Sequence, residues 1–184
     1  MRKFLFLSMA ALLLTVASCN KPVKVTHGDF SFEVPATMEI VRQNDIDSRL
    51  LCLIRDKENP AVQMVIEVVD DYLNLEGIEE GADNATIAEH LAANVQALAD
   101  AFIFYEGNDV KLDEPFKIER NASEFTAQAT APYKGTANGD FVKGTVIADL
   151  FGTTAVNTLI DAPSEEMFNK LFLVYFSYVW DPKN

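Results

Sequence analysis

In residues 61–69 every second side chain is apolar, with Val62, Met64, Ile66 and Val68 sharing one side. A two-residue period means an extended chain with one face in a core. Residues 49–55, an apolar run with charged ends, precede it across the turn cluster 56–60, and the pair predicts a hairpin. Phe30-Ser31-Phe32-Glu33-Val34 alternates in the same way and stops at Pro35, predicting the first strand. Residues 110–119, 124–133, 141–150 and 154–160 read as further strands. Pro115 marks an edge or a break in the first of these. Asn138-Gly139 is a hairpin signal, and Gly152 marks another turn.

Two segments carry helical patterning instead. Thr86-Ile87-Ala88-Glu89 has the form of a capping box with Thr86 as N-cap. Ile87, Leu91, Val95, Leu98 and Phe102 then fall on one stripe, predicting a helix over 86–101. Ser164 followed by Glu165 and Glu166 predicts a second start, since a hydroxyl cap and first-turn acids suit a helix N-terminus. Phe168, Leu171, Phe172, Tyr175 and Val179 continue it as a stripe that Asp181-Pro182 ends, although the composition there also favours a strand. The expected fold class is α+β: an antiparallel β-sheet of about six to seven strands covered by two main helices.

The N-terminus supplies an address. Arg2 and Lys3 precede the apolar residues 4–16, and small residues follow at Ala17 and Ser18. That run is shorter than the roughly 20 residues a bilayer span needs, so it reads as a secretory signal. Val16-Ala17-Ser18-Cys19 resembles the lipobox of bacterial lipoproteins. The resemblance implies cleavage before Cys19, lipid on its thiol and an acylated new amino terminus. It gives a signal peptide over 1–18, a lipidated cysteine and short tether over 19–28, and one globular domain over 29–184. Asn20 after the cysteine, where aspartate would favour inner-membrane retention, implies the outer membrane. The basic run that follows favours a face toward the periplasm.

Composition narrows the function. The chain has 15 basic and 28 acidic residues. Residues 1–18 hold two of the basic ones and none of the acidic, so the mature charge is −15. Such a chain is repelled by nucleic acid and by anionic headgroups, so membrane contact is expected through the lipid on Cys19. With Cys19 taken by lipid, Cys52 stands alone in an apolar run and reads as a small buried hydrophobe. Only His27, in the tether, and His90, off the helical stripe, are available as imidazoles, and no Gly-x-Ser-x-Gly elbow occurs. Gly135, Gly139 and Gly144 lie between strands without a Walker pattern. The acidic segment 70–84 offers oxygens for calcium but not the spacing of an EF-hand loop. Neighbouring acids at Asp70-Asp71, Glu79-Glu80 and Glu165-Glu166 do not by themselves face one another. No catalytic, cofactor or metal residue is assigned.

The layout resembles the PsbP/Mog1-like group of small domains. The features that carry it are the opening Phe30-Ser31-Phe32-Glu33-Val34-Pro35, the helix over 86–101, and Leu159-Ile160-Asp161-Ala162-Pro163 ahead of a Phe- and Tyr-rich segment. The resemblance implies an α/β/α sandwich and a non-enzymatic accessory or binding role. The expectation is a lipid-anchored, non-catalytic module of the cell envelope with a protein partner. The alternatives are a glycan- or calcium-binding lipoprotein and an envelope hydrolase.

Overall fold

The computed structural model describes residues 21–79, 81–104, 108–122, 125–137 and 139–182. The signal, Cys19 and Asn20 lie outside them. The strands are β1 (Val23–His27), β2 (Phe30–Val34), β3 (Met38–Ile46), β4 (Arg49–Asp56) and β5 (Gln63–Val69). A one-turn helix α1 (Tyr72–Leu75) and the long α2 (Asn84–Phe102) follow. Next come β6 (Asp109–Leu112), β7 (Lys117–Ala122), β8 (Phe125–Ala137), β9 (Asp140–Phe151), β10 (Thr154–Asp161), α3 (Glu165–Tyr175) and β11 (Val179–Trp180).

Eight strands form one antiparallel sheet in the order β3-β4-β5-β10-β9-β8-β6, with β7 also on β8. The α+β class holds, but the sheet is wider than the expected six to seven strands and three helices accompany it. The hairpin β4–β5 forms as the alternation requires, with Ile54 opposite Met64 and Cys52 opposite Ile66. Gly139, at φ 88, lies in the turn joining β8 to β9, where Ala137 pairs with Asp140. Pro115 falls in the break between β6 and β7.

Alternate residues of the same strands feed two cores. Met64, Ile66, Val68, Ile147, Val156 and Ile160 pack with Leu171 and Val174 of α3. Val65, Val69, Val146, Ala148, Leu150 and Leu159 pack with Leu91, Val95 and Leu98 of α2. The helices therefore cover opposite faces, and all eight residues of β10 are buried.

A second sheet, β1-β2-β11, closes the α3 face. It corrects two expectations. The tether expected over 19–28 gives way at Val23 to β1, which pairs with β2 from Val23↔Val34 to His27↔Phe30. The terminal helix stops at Tyr175, and Val179 lies in β11 opposite Ser31. Ser164 does cap α3, accepting from the Met167 amide at 3.3 Å. For α2 the cap is Asp83, not Thr86: its carboxylate accepts from the Ala85 and Thr86 amides at 2.8 and 2.9 Å. A carboxylate three residues earlier in the chain outcompetes the hydroxyl, because it bonds two orphan amides and meets the positive helix end.

Candidate functional site

The reactive residue types are mostly spent on holding strands together. Cys19, the expected lipid site, lies outside the described residues. Cys52 is fully buried, and burial pushes its thiol up to about 11, far from the thiolate that chemistry would need. His90 is exposed on α2.

His27 is not the tether residue that its position in the sequence implied. It is buried at the end of β1, with Nδ1 2.8 Å from Asp45 Oδ1 and Nε2 3.5 Å from Asp70 Oδ2. Thr154 Oγ1 donates to the other Asp70 oxygen at 3.3 Å. Gly28 follows in the left-handed region, and a Cβ there would come within 2.2 Å of Asp70. The imidazole thus clasps β1 to β3 and to the corner after β5. Nδ1 is bonded to Asp45, while Nε2 lies 3.5 Å from Asp70 and has no hydrogen-bond partner among the described residues.

The paired acids are not brought together. Asp71 accepts from Asn74, Glu165 and Glu166 lie exposed on the first turn of α3, and Glu80 is outside the described residues. Among the described residues no group of three or more His, Cys, Asp or Glu side chains is placed to hold a metal ion.

Two buried acids do stand out, one on each face of the large sheet. Asp149 lies on the α3 face, wholly buried. Gln128 Nε2 and Tyr175 Oη donate to its two oxygens, the latter at 2.9 Å. Burial still pushes its carboxyl up to about 6. This cluster pins α3 to β8 and β9 and is closed to solvent.

Asp161, on the α2 face, is open to a cleft. It ends β10, opposite Gln63 of β5 and Gly144 of β9. Gln63 Nε2 donates to Oδ2 at 3.4 Å, while the buried Oδ1 has no hydrogen-bond partner among the described residues. Burial pushes this carboxyl up to about 6 as well. Two adjoining hollows of about 180 and 130 Å³ meet at Gln63, Phe102, Ile103 and Asp161. The last turn of α2 supplies Phe102, and Asn108 holds the Ile103 carbonyl at 3.0 Å. Asp140 and the exposed Phe141 widen the mouth. Two carboxyls, two carboxamides and two phenyl rings can bind a small hydroxyl-bearing ligand, and no serine, cysteine or histidine lines the hollows among the described residues. Asp161 belonged to the stretch that carried the family resemblance, but no role was read from it. Its sequence signal is an acid directly after the apolar pair Leu159-Ile160 at the end of a strand.

No protein-family model matches the chain, and no curated protein matches it. Solved structures do. The cyanobacterial PsbP protein (CyanoP) of Synechocystis sp. PCC 6803 superposes with a TM-score of 0.55 at 8% identity, covering 88% of this chain and 93% of that one. The fold is PsbP-like. A protein from Bacteroides thetaiotaomicron gives a TM-score of 0.49 at 9% identity, over 87% of this chain and 48% of that chain. At such identity the PsbP-like likeness speaks for the architecture and transfers no residue role.

Proposed function

We propose that this chain is a lipid-anchored, non-catalytic binding or accessory module of a bacterial cell envelope, held by lipid on Cys19 at the outer membrane and facing the periplasm. The observation that carries the reading is the clasp at His27: the one buried imidazole bonds Asp45 and lies beside Asp70, joining strands, and it is hydrogen-bonded to no nucleophile among the described residues. The PsbP-like fold and the lipobox resemblance add support, as does the inert thiol of Cys52. The test is chemical cross-linking of the native protein in whole cells, with mass spectrometry of what it captures. One stoichiometric envelope partner is the expected result. Recovery of the uncoupled protein alone refutes the accessory role.

Asp161 favours a second reading, a glycan-binding lipoprotein. Its unpartnered oxygen, Gln63 and Asn108 can take sugar hydroxyls, while Phe102 and Phe141 offer ring faces. The soluble domain screened against envelope glycans tests it. Retention that Asp161→Ala abolishes is the expected outcome, and retention unchanged in that variant refutes it.

A further inference from the structure

We infer that the end of the domain formed by Leu173, Phe176 and Val23 is a second membrane contact, resting on the bilayer that holds the lipid. The inference builds on the proposed lipid anchor and adds an orientation to it.

Eight large apolar side chains are exposed among the described residues, and three of them gather at this end. Leu173 and Phe176 are 61% and 75% exposed, one turn apart on the last stretch of α3. Apolar residues three apart on a helix share a face, so the two form one ridge. The chain then turns at Ser177, whose hydroxyl accepts from the Glu33 amide at 2.8 Å. Glu33 pairs with Lys24, and the next pair in the register is Val34 with Val23, itself 53% exposed. An unbroken path of strand pairing and hydrogen bonding therefore joins the ridge to the start of β1.

That location identifies the occupant. Cys19 is four residues before Val23, a reach of at most ~14 Å at ~3.6 Å per residue. A domain on so short a leash holds the foot of β1 near the headgroups, and the apolar ridge with it. The charge agrees. The chain is acidic overall, yet Lys21, Lys24, Lys57 and Lys170 lie at this end, the last two in a cleft shared with Leu173. Glu33 and Glu58 are the exposed acids among them. Lysines around apolar residues suit the phosphate layer of a bilayer surface. A lipid anchor gains from such a second signal, and apolar side chains that would otherwise be wet gain a cover.

The test places a spin label at Leu173→Cys and at Phe176→Cys in the full, lipidated chain. Leu75→Cys, exposed at the opposite end of the strands, serves as the control, and buried Cys52 stays unlabelled. The protein is reconstituted in vesicles of phosphatidylethanolamine with phosphatidylglycerol as the minority lipid. Flotation with the vesicles reports the anchor, and relaxation by oxygen against a water-soluble nickel chelate reports the ridge. Labels at 173 and 176 should gain oxygen accessibility and lose contact with the chelate, while the label at 75 stays in water. Flotation with all three labels equally wet overturns the ridge and leaves the anchor standing. Labels wet on vesicles but shielded in native envelopes also overturn it, and put a protein on the ridge instead. Failure to float overturns the anchor and the inference together.

Discussion

Replacing Asp161 by asparagine should make the domain more stable at neutral pH and flatten its pH dependence. Burial raises this carboxyl from 3.8 to about 6. The folded state therefore binds the proton more tightly than the unfolded chain. The sign follows from linkage: the stabilisation is complete below about pH 4 and is lost as pH rises through about 6. Two units at about 1.4 kcal/mol each put the cost of the ionised side chain near 3 kcal/mol at pH 7. Asparagine keeps an acceptor for Gln63 and removes the charge, but leaves an amide beside the cleft that recovers only part of that energy. The expected gain is about 1–3 kcal/mol at pH 7, vanishing at pH 4. Urea denaturation of the soluble domain from Asn20 onward, followed through the single tryptophan Trp180, measures it across that range. Trp180 pairs with Phe30 and packs on Gly152, so its emission reports the closure of the small sheet. Parallel pH profiles for the two proteins would show that Asp161 is not a buried acid, and would remove the physical basis of the cleft.

Cys19→Ala should move the protein from the membrane fraction to the soluble fraction with its circular dichroism unchanged; retention on the membrane refutes the anchor. His27→Ala should cost about 1–2 kcal/mol, because the buried ring that bonds Asp45 is lost while water takes its place. Hydrogen exchange should then show β1 opening before the large sheet. Gly144→Ala should destabilise severely, by about 3 kcal/mol or more, since its Cβ would meet the Ile160 carbonyl at 1.8 Å and the Tyr133 ring at 2.5 Å. A melting temperature unchanged in that variant would contradict the tight crossing of β8, β9 and β10. Leu91→Ala should cost about 2–5 kcal/mol, as a wholly buried leucine at the centre of the α2 stripe.

The parts of the fold legible in the sequence are those whose apolar residues keep a regular spacing or an unbroken run. The strand β5 announces itself by Val62, Met64, Ile66 and Val68 at every second position, β4 by an apolar run between two arginines, and α2 by its helical stripe. The strand β3 does not. From Val41 to Ile46 it lies exposed at the sheet edge, so Arg42-Gln43-Asn44-Asp45 carry no alternation to read. For β11 the trouble is the reverse. Val179 falls where the stripe of α3 would next surface, and only its pairing with Ser31 reveals a strand. The candidate site was hidden for a third reason. Asp161 faces Gln63 across 98 residues of chain, and burial at that distance is a property of the sheet register rather than of any local pattern.

The small sheet sets an order of events as the chain is made. Its middle strand β2 meets β1 almost at once, but the bond between Glu33 and Ser177 spans 144 residues. In a chain that emerges from its N-terminal end, one edge of β2 stays unpaired until nearly everything else has appeared. Unpaired edges invite strands from other molecules. The end of the domain where β2 meets Ser177 would thus be the last part to become safe from its neighbours, and a chaperone that shields strand edges would find its substrate there.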